Sequence, residues 1–520
     1  MRVTFVQPLQ GTKFGFTKIL RVEPLGMECV SSALQLHDHD TQLVDLRLDT
    51  PKQLWSHLDS WRPGAIGVAC GFTSDVYTAL ETARFVKKAL PETMVFAGGH
   101  HASLIPGDLL FPGSPFDAVV VGEGEWPTLD LIDSLEDGGE VEGIPGIMTN
   151  ENLGGAFVSR EIAADLDDLP LPDRELSLRY RRWYHHGFRV PSACVETTRG
   201  CPFNCNFCSI WVFYQRRARR FSTDRILADL EQVRRLDEEN VFFTDDIAFL
   251  QRESYEELGE GIRRAGLELT YACETRADLV VKYGDLFKQW KDLGMHLVFL
   301  GIEKMDDDGL DAVRKRLKGG SQTNLQAIQI LQDYGISPLT SLIADPGWGD
   351  EEFDRLEKTV KVLELPNPGF TVLTPLPGTE LWETVKSKIT TDDYAYFDVL
   401  HLVLPSKLPP ERFYERIARL YQLTEVNTQL SWSALGKLAK MALRGQSFAM
   451  RRVLGAVRDM RSPKGYLQYP GSIPKPEWVP PGFGSTDWVD RGRSPLAEKV
   501  AEIAEKVGET ADTEIGVAVG

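Results

Sequence analysis

The chain has 520 residues, 42% of them apolar and 26% charged, with a formal net charge of −18 at pH 7. This length predicts about three domains, and the acidic balance argues against general binding to nucleic acid. The seven cysteines do not form a disulfide framework, which predicts a reducing, cytoplasmic setting. No apolar run approaches the roughly 20 residues of a transmembrane helix. Residues 1–7 are typical of a strand rather than of a signal peptide.

Short β-rich runs alternate with helical stretches in residues 1–160. The runs are Val3–Gln7, Gln42–Leu46, Ala65–Ala69, Met94–Gly98 and Asp117–Val121. Continuous apolar runs of this length are typical of buried parallel strands. The alternation predicts a doubly wound, Rossmann-like α/β domain that binds its ligand beyond the carboxyl ends of the strands.

Small and turn-forming residues follow the later strands of this domain. Gly98, Gly99 and His100 follow the fourth run, and Gly122 and Glu123 follow the fifth. Glycines at a strand end let a flat or bulky cofactor approach the backbone. Two interpretations remain open at this point: a cofactor edge, or ordinary turns in which the histidines cap backbone groups.

A linker over residues 161–187 precedes a second alternating region, residues 188–400. Its six strand-like runs are Val195–Thr198, Val241–Asp246, Leu269–Thr275, Leu297–Glu303, Leu339–Asp345 and Phe370–Thr374. The intervening helices are amphipathic, as in residues 324–334 with Leu325, Ile328 and Leu331 on one face. Six βα units predict a partial, TIM-like (β/α)6 barrel.

Three cysteines, Cys201, Cys205 and Cys208, lie on one loop with the spacing CxxxCxxC. Three thiolates on a short loop can hold three irons of a 4Fe-4S cluster and leave the fourth iron open to a small molecule. Electron-transfer clusters take four cysteines instead, and zinc sites prefer two ligand pairs, which this chain lacks. Asn204 and Asn206 are placed to tune such a cluster by hydrogen bonding.

Polar residues end several strands of the second region, where barrel enzymes place their sites. Carboxylates there can accept hydrogen bonds from hydroxyl or amino groups, and an arginine can hold a carboxylate in a bidentate pair. The residues are Asp245, Asp246, Glu274, Thr275, Arg276, Glu303 and Asp345. For Asp246 and Asp345 the alternative is an N-cap of the next helix. Cys273, alone on its strand, is interpreted as a small buried hydrophobe.

The last region, residues 401–520, is predicted to be mainly helical. Residues 431–465 contain eight basic residues and one acidic residue, interleaved with apolar ones. This basic amphipathic pattern leaves two interpretations open: a helix on a membrane surface, or a solvated basic face packed on the acidic body. The final residues are predicted to fray.

The cysteine loop closely resembles the signature of the radical S-adenosylmethionine (SAM) superfamily. The order of domains over residues 1–425 resembles the class B, cobalamin-dependent members of that superfamily, and Leu166–Arg174 resembles their linker. The resemblance implies three cofactors: a 4Fe-4S cluster, SAM at its open iron, and cobalamin. It also implies roles for individual residues. Phe207 would lie against adenine; Asp245, Glu274, Arg276 and Glu303 would bind SAM; Gly98, Gly99, His100, Gly122 and Glu123 would contact cobalamin.

One departure concerns the cobalt. Many corrinoid proteins carry DxHxxG, whose histidine binds cobalt from below, and this chain lacks that motif. His39 follows Asp38 without the required glycine, and only His100 and His101 lie at the predicted cofactor edge. No lower axial ligand is therefore predicted.

Three stretches are similar to methylases that act on ring carbon three of hopanoid lipids: residues 21–28, 370–381 and 396–405. This similarity implies a radical methyltransferase acting on an unactivated carbon of a lipid or other small molecule. It also implies an electron donor such as flavodoxin or ferredoxin, and peripheral contact with the inner membrane face. Two alternatives are a cyclase of the anaerobic porphyrin type and a corrinoid or cluster carrier without catalysis.

Overall fold

The computed structural model describes residues 1–468 except 13, 154, 156, 364, 366–367 and 424–444. The strands are β1 (Arg2–Gln7), β2 (Leu20–Arg21), β3 (Asp40–Asp45), β4 (Ala65–Ala69), β5 (Met94–Gly98), β6 (Ala118–Val120), β7 (Ile147–Thr149), β8 (His185–His186), β9 (Ala193–Val195), β10 (Thr198–Arg199), β11 (Arg219–Arg220), β12 (Asn240–Phe243), β13 (Thr270–Arg276), β14 (Met295–Glu303), β15 (Ser337–Ala344) and β16 (Gly369–Val372). The helices are α1 (Phe16–Ile19), α2 (Leu25–Gln35), α3 (Pro51–Trp61), α4 (Val76–Ala89), α5 (His100–Leu104), α6 (Glu125–Glu136), α7 (Ile210–Phe213), α8 (Thr223–Arg235), α9 (Arg252–Ala265), α10 (Ala277–Lys282), α11 (Gly284–Asp292), α12 (Asp307–Ala312), α13 (Gln322–Asp333), α14 (Asp350–Leu363), α15 (Glu380–Val385), α16 (Pro410–Leu423), α17 (Ser447–Met460) and α18 (Pro463–Gln468).

The first sheet has the strand order β3-β1-β4-β5-β6-β7. Its first five strands are parallel, and β7 pairs antiparallel with β6 at the edge. The predicted doubly wound α/β domain is confirmed, and β7 is an addition that the sequence did not predict. The order reverses between β1 and β4, which is the switch point where such sheets bind ligands.

The second sheet has the order β9-β12-β13-β14-β15-β16, and every pairing in it is parallel. Successive strands of this sheet are therefore neighbours in space, as in a partial barrel. The six predicted strands are confirmed, the first of them as Ala193–Val195 rather than Val195–Thr198. A core of aromatic side chains on the helix side of this sheet includes Phe243, Tyr271 and Trp290, each fully buried. The predicted domain limits at 160, 187 and 400 stay predictions.

Of the C-terminal helices, α16 packs on α14 and β16 of the second domain, and α17 packs mainly on α1 of the first domain. The apolar side of α17 is buried through Ala449, Val453, Ala456 and Met460. The opposite side of α17 leaves Arg451 and Arg458 exposed, and the two interpretations of the basic segment stay predictions. Residues 431–444, including Trp432 and Lys437, lie outside the described residues. Within the described part of the chain, every helix is too short or too polar to span a membrane.

Two buried arginines of the linker join the domains. Arg174 contacts Glu23 and Glu28 of the first domain and Asp229 of the second, with Nη1 and Nη2 at 2.5, 3.1 and 2.7 Å from the respective carboxylates. Arg181 contacts the same two glutamates and reaches Glu238 of the second domain. All of these carboxylates are at least nine-tenths buried. The linker is therefore an ionic joint between the two sheets.

Substitution of Arg174 by Met should lower the free energy of unfolding by about 3–5 kcal/mol, because it leaves buried carboxylates without a counter-charge. The measurement is urea unfolding followed by circular dichroism. Arg235→Met is the matched control, because Arg235 is 71% exposed and, within the described part of the chain, its one ion pair is with Glu231 on its own helix. The control should change stability by about 0.5 kcal/mol or less. Equal effects of the two substitutions would show that the joint is not needed.

Candidate functional site

A cavity of about 410 Å³ lies between the two domains. The first domain contributes the carboxyl ends of β1, β4, β5 and β6 and the adjoining faces of α2 and α6. The second domain contributes Glu196, Arg199, Phe213, Thr244 and Asp246. The cavity thus occupies the switch point of the first sheet and opens towards the strand ends of the second.

The predicted glycines line this cavity. A side chain at Gly98 would have nothing closer than 3.9 Å, and one at Gly122 would meet nothing within 4 Å, so both positions leave the backbone open to a ligand. Gly99 has a φ of +118°, and a Cβ there would lie 2.8 Å from the carbonyl oxygen of Cys70. Glycine is therefore required at position 99 by the close approach of two loops.

The two histidines of this loop have different environments. His101 is held by Thr73 at 3.1 Å and by Asp108 at 3.0 Å, so its side chain anchors the loop within the first domain. His100 lines the cavity, and its ring centroid lies 4.4 Å from that of Phe213. Its Nε2 is buried without a hydrogen-bond partner in the described part of the chain. Burial lowers the pKa of His100 to about 4, so the ring is neutral at physiological pH. A neutral ring with a free nitrogen can accept a hydrogen bond from a ligand in the cavity.

Glu123 differs from the expectation of a free cofactor contact. Its carboxylate binds Arg199 at 3.2 Å and Arg219 at 2.7 Å, and both arginines belong to the second domain. Arg199 also pairs with Glu125 at 2.7 Å. These cations lower the pKa of Glu123 against the opposing effect of burial. Glu123 borders the cavity, but its ion pairs give it a role in joining the domains, which the sequence pattern did not reveal.

The cysteine loop follows β10 and leads into α7. Cys201, Cys205 and Cys208 are free, half-buried thiols. The charge of Cys205 adds to the effect of burial on the pKa values of the other two. Burial raises the pKa of Cys201 to about 11 and that of Cys208 to about 12. No three His, Cys, Asp or Glu side chains among the described residues surround a single ion position. A cubane cluster requires a different arrangement, in which each thiolate binds its own iron.

Hydrogen bonds fix the backbone of this loop. Asn206 donates from its backbone N–H to Val313 and from Nδ2 to Ala312, and its carbonyl accepts from Leu381. Trp211 donates from Nε1 to the carbonyl of Cys205 at 2.9 Å. The Oδ1 atom of Asn206 is buried without a partner in the described residues. Phe207 is half-buried on the loop, and a neighbouring aromatic that the sequence analysis did not single out, Phe203, lies 3.8 Å beneath the guanidinium of Arg276.

The two aspartates after β12 have separate roles. Asp245 is 1% exposed, and its oxygens accept hydrogen bonds from Thr197, Thr198 and Tyr255. These bonds hold the segment before the cysteine loop, and the predicted contact of Asp245 with SAM stays a prediction. Asp246 lines the cavity and accepts from the backbone N–H of Gly200 at 2.8 Å. Burial raises the pKa of Asp246 to about 7.

Glu274 and Glu303 lie near Asp246. Burial, and then the charges of Asp246 and Glu303, raise the pKa of Glu274 to about 7. Glu303 stands at a register shift in β14 with a φ of +60°, a left-handed conformation that a non-glycine residue rarely adopts. Lys315 binds its Oε1 at 3.0 Å. Strained backbone at a strand end is typical of functional sites.

The side chains of Arg276 and Asp345 bind other groups of the protein. Arg276 makes a two-bond pair with Asp278, 3.0 Å for each bond, and donates to the carbonyl of Arg316. Asp345 accepts from the N–H of Gly347 and lies 3.9 Å from Lys304, so it forms a turn rather than capping α14. Cys273 is fully buried in the core, in agreement with its interpretation as a small hydrophobe.

Two protein-family models match the two domains described above. A model of the B12 binding domain matches residues 20–132, and a model of the radical SAM superfamily matches residues 195–360. The chain is 38% identical over 458 residues to the hopanoid C-3 methylase of Methylococcus capsulatus, an alignment that covers 87% of this chain and 86% of that protein. The chain belongs to the cobalamin-dependent radical SAM methyltransferases.

Two further similarities place this methyltransferase in a wider group. It is 24% identical over 396 residues to the anaerobic magnesium-protoporphyrin IX monomethyl ester cyclase of Rubrivivax gelatinosus, covering 74% of this chain and 69% of that one. Its fold is shared with TsrM of Kitasatospora setae, solved with cobalamin and a 4Fe-4S cluster bound. That match has a TM-score of 0.66 at 15% identity and covers 88% of this chain and 99% of that chain.

Family membership confirms the predicted cofactors: a 4Fe-4S cluster, SAM and cobalamin. The residues of this methyltransferase fit them. Three free thiols share one loop, and an interdomain cavity of about 410 Å³ has open glycines at the switch point. The individual ligand assignments stay predictions.

Substitution of Cys201, Cys205 or Cys208 by Ser should abolish most of the bound iron and the broad visible absorption of the reconstituted cluster, because each thiolate is expected to bind one iron. Iron analysis and absorption spectroscopy measure both effects. Cys273→Ser is the control, because Cys273 is equally free but buried in the core. A loop variant that keeps full iron content would contradict the assignment.

Proposed function

We propose that this methyltransferase acts on a hopanoid-type polycyclic lipid and replaces hydrogen on an unactivated carbon by a methyl group. The observation that carries the proposal is the 38% identity to a hopanoid C-3 methylase over 87% of the chain. A saturated ring carbon has neither an acidic proton nor a nucleophilic electron pair, so its methylation requires radical chemistry. When bound, the cluster with SAM supplies a hydrogen-abstracting radical and cobalamin supplies the methyl group.

The chain's own residues would orient these groups. Cys201, Cys205 and Cys208 would hold the cluster at the mouth of the barrel. Asp246, which lines the cavity, and Glu274 are suited to accept hydrogen bonds from the amino and hydroxyl groups of SAM. The pKa of each of these carboxyl groups is raised to about 7, so near neutral pH each is partly protonated. The positive charge of a bound ammonium group would favour their ionised forms.

Apolar surface at the domain interface suits an apolar substrate. A small cluster joins Leu25 and Cys29 of α2 to Cys194, Phe242 and Ala272 on the second sheet. These side chains adjoin the cavity through Leu25 and Cys194. Transfer of a saturated lipid from water to such a surface would lower the free energy.

The test is an anaerobic assay of the full chain with reconstituted cluster, cobalamin, SAM, a strong reductant and a hopanoid lipid. Formation of 5′-deoxyadenosine and S-adenosylhomocysteine, with a lipid heavier by one methyl group, is the expected result. Deoxyadenosine without homocysteine would favour a cyclase or another radical rearrangement instead. Neither product, from protein that holds both cofactors, would contradict the proposal and favour a carrier.

Asp246→Asn should reduce deoxyadenosine formation by about tenfold or more while leaving the cluster spectrum intact, because a charge-assisted hydrogen bond contributes about 1.5–3 kcal/mol. The matched control is Asp345→Asn, at the end of β15, where the carboxylate is 40% exposed. Single-turnover product analysis by mass spectrometry measures both variants. Equal activity of Asp246→Asn and the unaltered protein would exclude this contact with SAM.

We further propose that the electron donor, a flavodoxin or ferredoxin, docks on basic turns beside the cysteine loop. Arg217 and Lys318 are exposed and have no ion pair in the described part of the chain. The turn of Arg217 touches the loop at Gly200, where a Cβ would lie 2.0 Å from the Arg217 carbonyl oxygen. Val313, at the end of α12 and shortly before Lys318 in the chain, accepts from the backbone N–H of Asn206. Exposed cations on an acidic protein suit an acidic donor that approaches near the cluster.

Reversal of both charges, Arg217→Glu with Lys318→Glu, should slow flavodoxin-supported deoxyadenosine formation by about tenfold at low ionic strength, because long-range attraction sets the rate of encounter. Formation supported by dithionite should not change. Arg235→Glu with Arg264→Glu, two exposed positions on α8 and α9, is the control. Unchanged flavodoxin-supported rates in the first variant would rule out this docking surface.

We also propose peripheral contact with the membrane that carries the lipid. Arg451 and Arg458 on α17 are exposed on the side away from its packed face. Such cations are attracted to anionic lipids at a bilayer surface.

A further inference from the structure

A pair of buried polar side chains lies opposite each other on the small sheet of β2 and β8. Arg21 and His185 are cross-strand partners in this antiparallel pair. Arg21 is 8% exposed, and no carboxylate of the described residues forms an ion pair with it. Both the Nε of Arg21 and the Nε2 of His185 are buried without a hydrogen-bond partner in the part of the chain that is described.

A second arginine reaches the same place from α17. Phe448 packs against the ring of His185 at 5.8 Å between centroids, and Arg452 follows one turn later on the same helix. Arg452 donates from Nη2 to the carbonyl of Thr17, which precedes β2, but its Nε is buried without a partner among the described residues. Three unpartnered nitrogen atoms thus belong to one neighbourhood.

Among the described residues, no carboxylate is free to balance the positive charge of this neighbourhood. Asp45 is the carboxylate that favours the charge of Arg21, but it binds Arg47 through two bonds of 2.9 and 2.7 Å and accepts from Tyr184 at 3.1 Å. Burial, then Arg452 and Arg47, lowers the pKa of Arg21 to about 10. A buried cation without a counter-charge is unfavourable, so the site is suited to an anion.

The protonation state of His185 restricts which anions fit the site. Its Nδ1 lies 3.1 Å from the carbonyl oxygen of Gly187, which can only accept, so Nδ1 carries the proton. On the neutral ring, Nε2 is then an acceptor, and burial lowers the pKa of His185 to about 4. The fitting ligand offers anionic oxygens to the two arginines and one hydroxyl to the imidazole.

We propose that Arg21, His185 and Arg452 bind a hydrogen phosphate group, either inorganic phosphate or a phosphate monoester. The guanidinium groups of Arg21 and Arg452 donate to its anionic oxygens, and its P–OH donates to Nε2 of His185. The site is separate from the cysteine loop and does not depend on the substrate proposed above.

The first experiment is calorimetric titration of the full chain with potassium phosphate and, separately, with potassium sulfate at equal ionic strength. Phosphate should bind at one site, and sulfate, which has no proton to give to His185 at neutral pH, about tenfold more weakly. Arg21→Met and Arg452→Met should each weaken phosphate binding by about tenfold or more. Arg458→Met is the control, since Arg458 is on the same helix and 83% exposed. Sulfate binding as tight as phosphate would overturn the assignment.

Thermal unfolding separates a binding defect from a folding defect. Without phosphate, Arg21→Met should unfold at a higher temperature than the unaltered chain, because it removes an uncompensated buried charge. Phosphate should raise the unfolding temperature of the unaltered chain and of Arg458→Met, but not that of Arg21→Met. An equal rise in Arg21→Met, or none in the unaltered chain, would overturn the proposal.

Vesicles identify the source of the phosphate. Flotation with vesicles of a neutral lipid that also contain phosphatidic acid, an anionic phosphate monoester, is compared with flotation with vesicles of the neutral lipid alone. Binding to the first that Arg21→Met abolishes would support a lipid headgroup as the ligand. Absence of flotation, with retained binding of inorganic phosphate, would support a soluble phosphate. Absence of both would contradict the site.

Discussion

The ionic joint made by Arg174 and Arg181 is the interaction on which the site depends. Two linker residues bind carboxylates of both domains where solvent is excluded, and Arg174 also donates to the carbonyl of Cys194 at the start of the second sheet. Glu23, which shares this joint, accepts from the backbone N–H of Cys194 at 2.6 Å and lines the cavity. A buried network of this kind adds little net stability over apolar packing, but it cannot be broken at one member without leaving an unpaired charge. It therefore specifies one arrangement of the two sheets.

A second ionic contact places the cysteine loop against the cavity. Arg199 stands directly before the loop and binds Glu123 and Glu125 across the domain boundary. The loop is thus fixed at one end to the domain that binds cobalamin and along its length to the barrel through Asn206. The two contacts hold the cysteine loop beside the cavity that lies between the domains.

Much of the fold could be predicted from the sequence because its strands are continuous apolar runs and its helices are amphipathic. The cysteine loop and the position of Gly98 at a strand end could also be predicted, because each depends on a short local sequence pattern. The ion pairs of Glu123 and the hydrogen bonds of Asp245 could not be predicted. Arg199, the partner of Glu123, is far away in the sequence, and no motif marks Tyr255 as the partner of Asp245. The same holds for Arg174, since a charged residue in a linker is usually solvated. In each case the deciding contact is formed only when separate elements pack.

The central claim is that cobalamin lies in the interdomain cavity and that the cluster lies next to it, on the adjoining cysteine loop. Pulsed electron paramagnetic resonance of the full chain with both cofactors, the cluster reduced and the cobalt paramagnetic, tests it most directly. The account predicts a strong magnetic interaction between the two centres, weakened when Arg174→Met loosens the joint. Two signals that relax independently in the unaltered protein would contradict it.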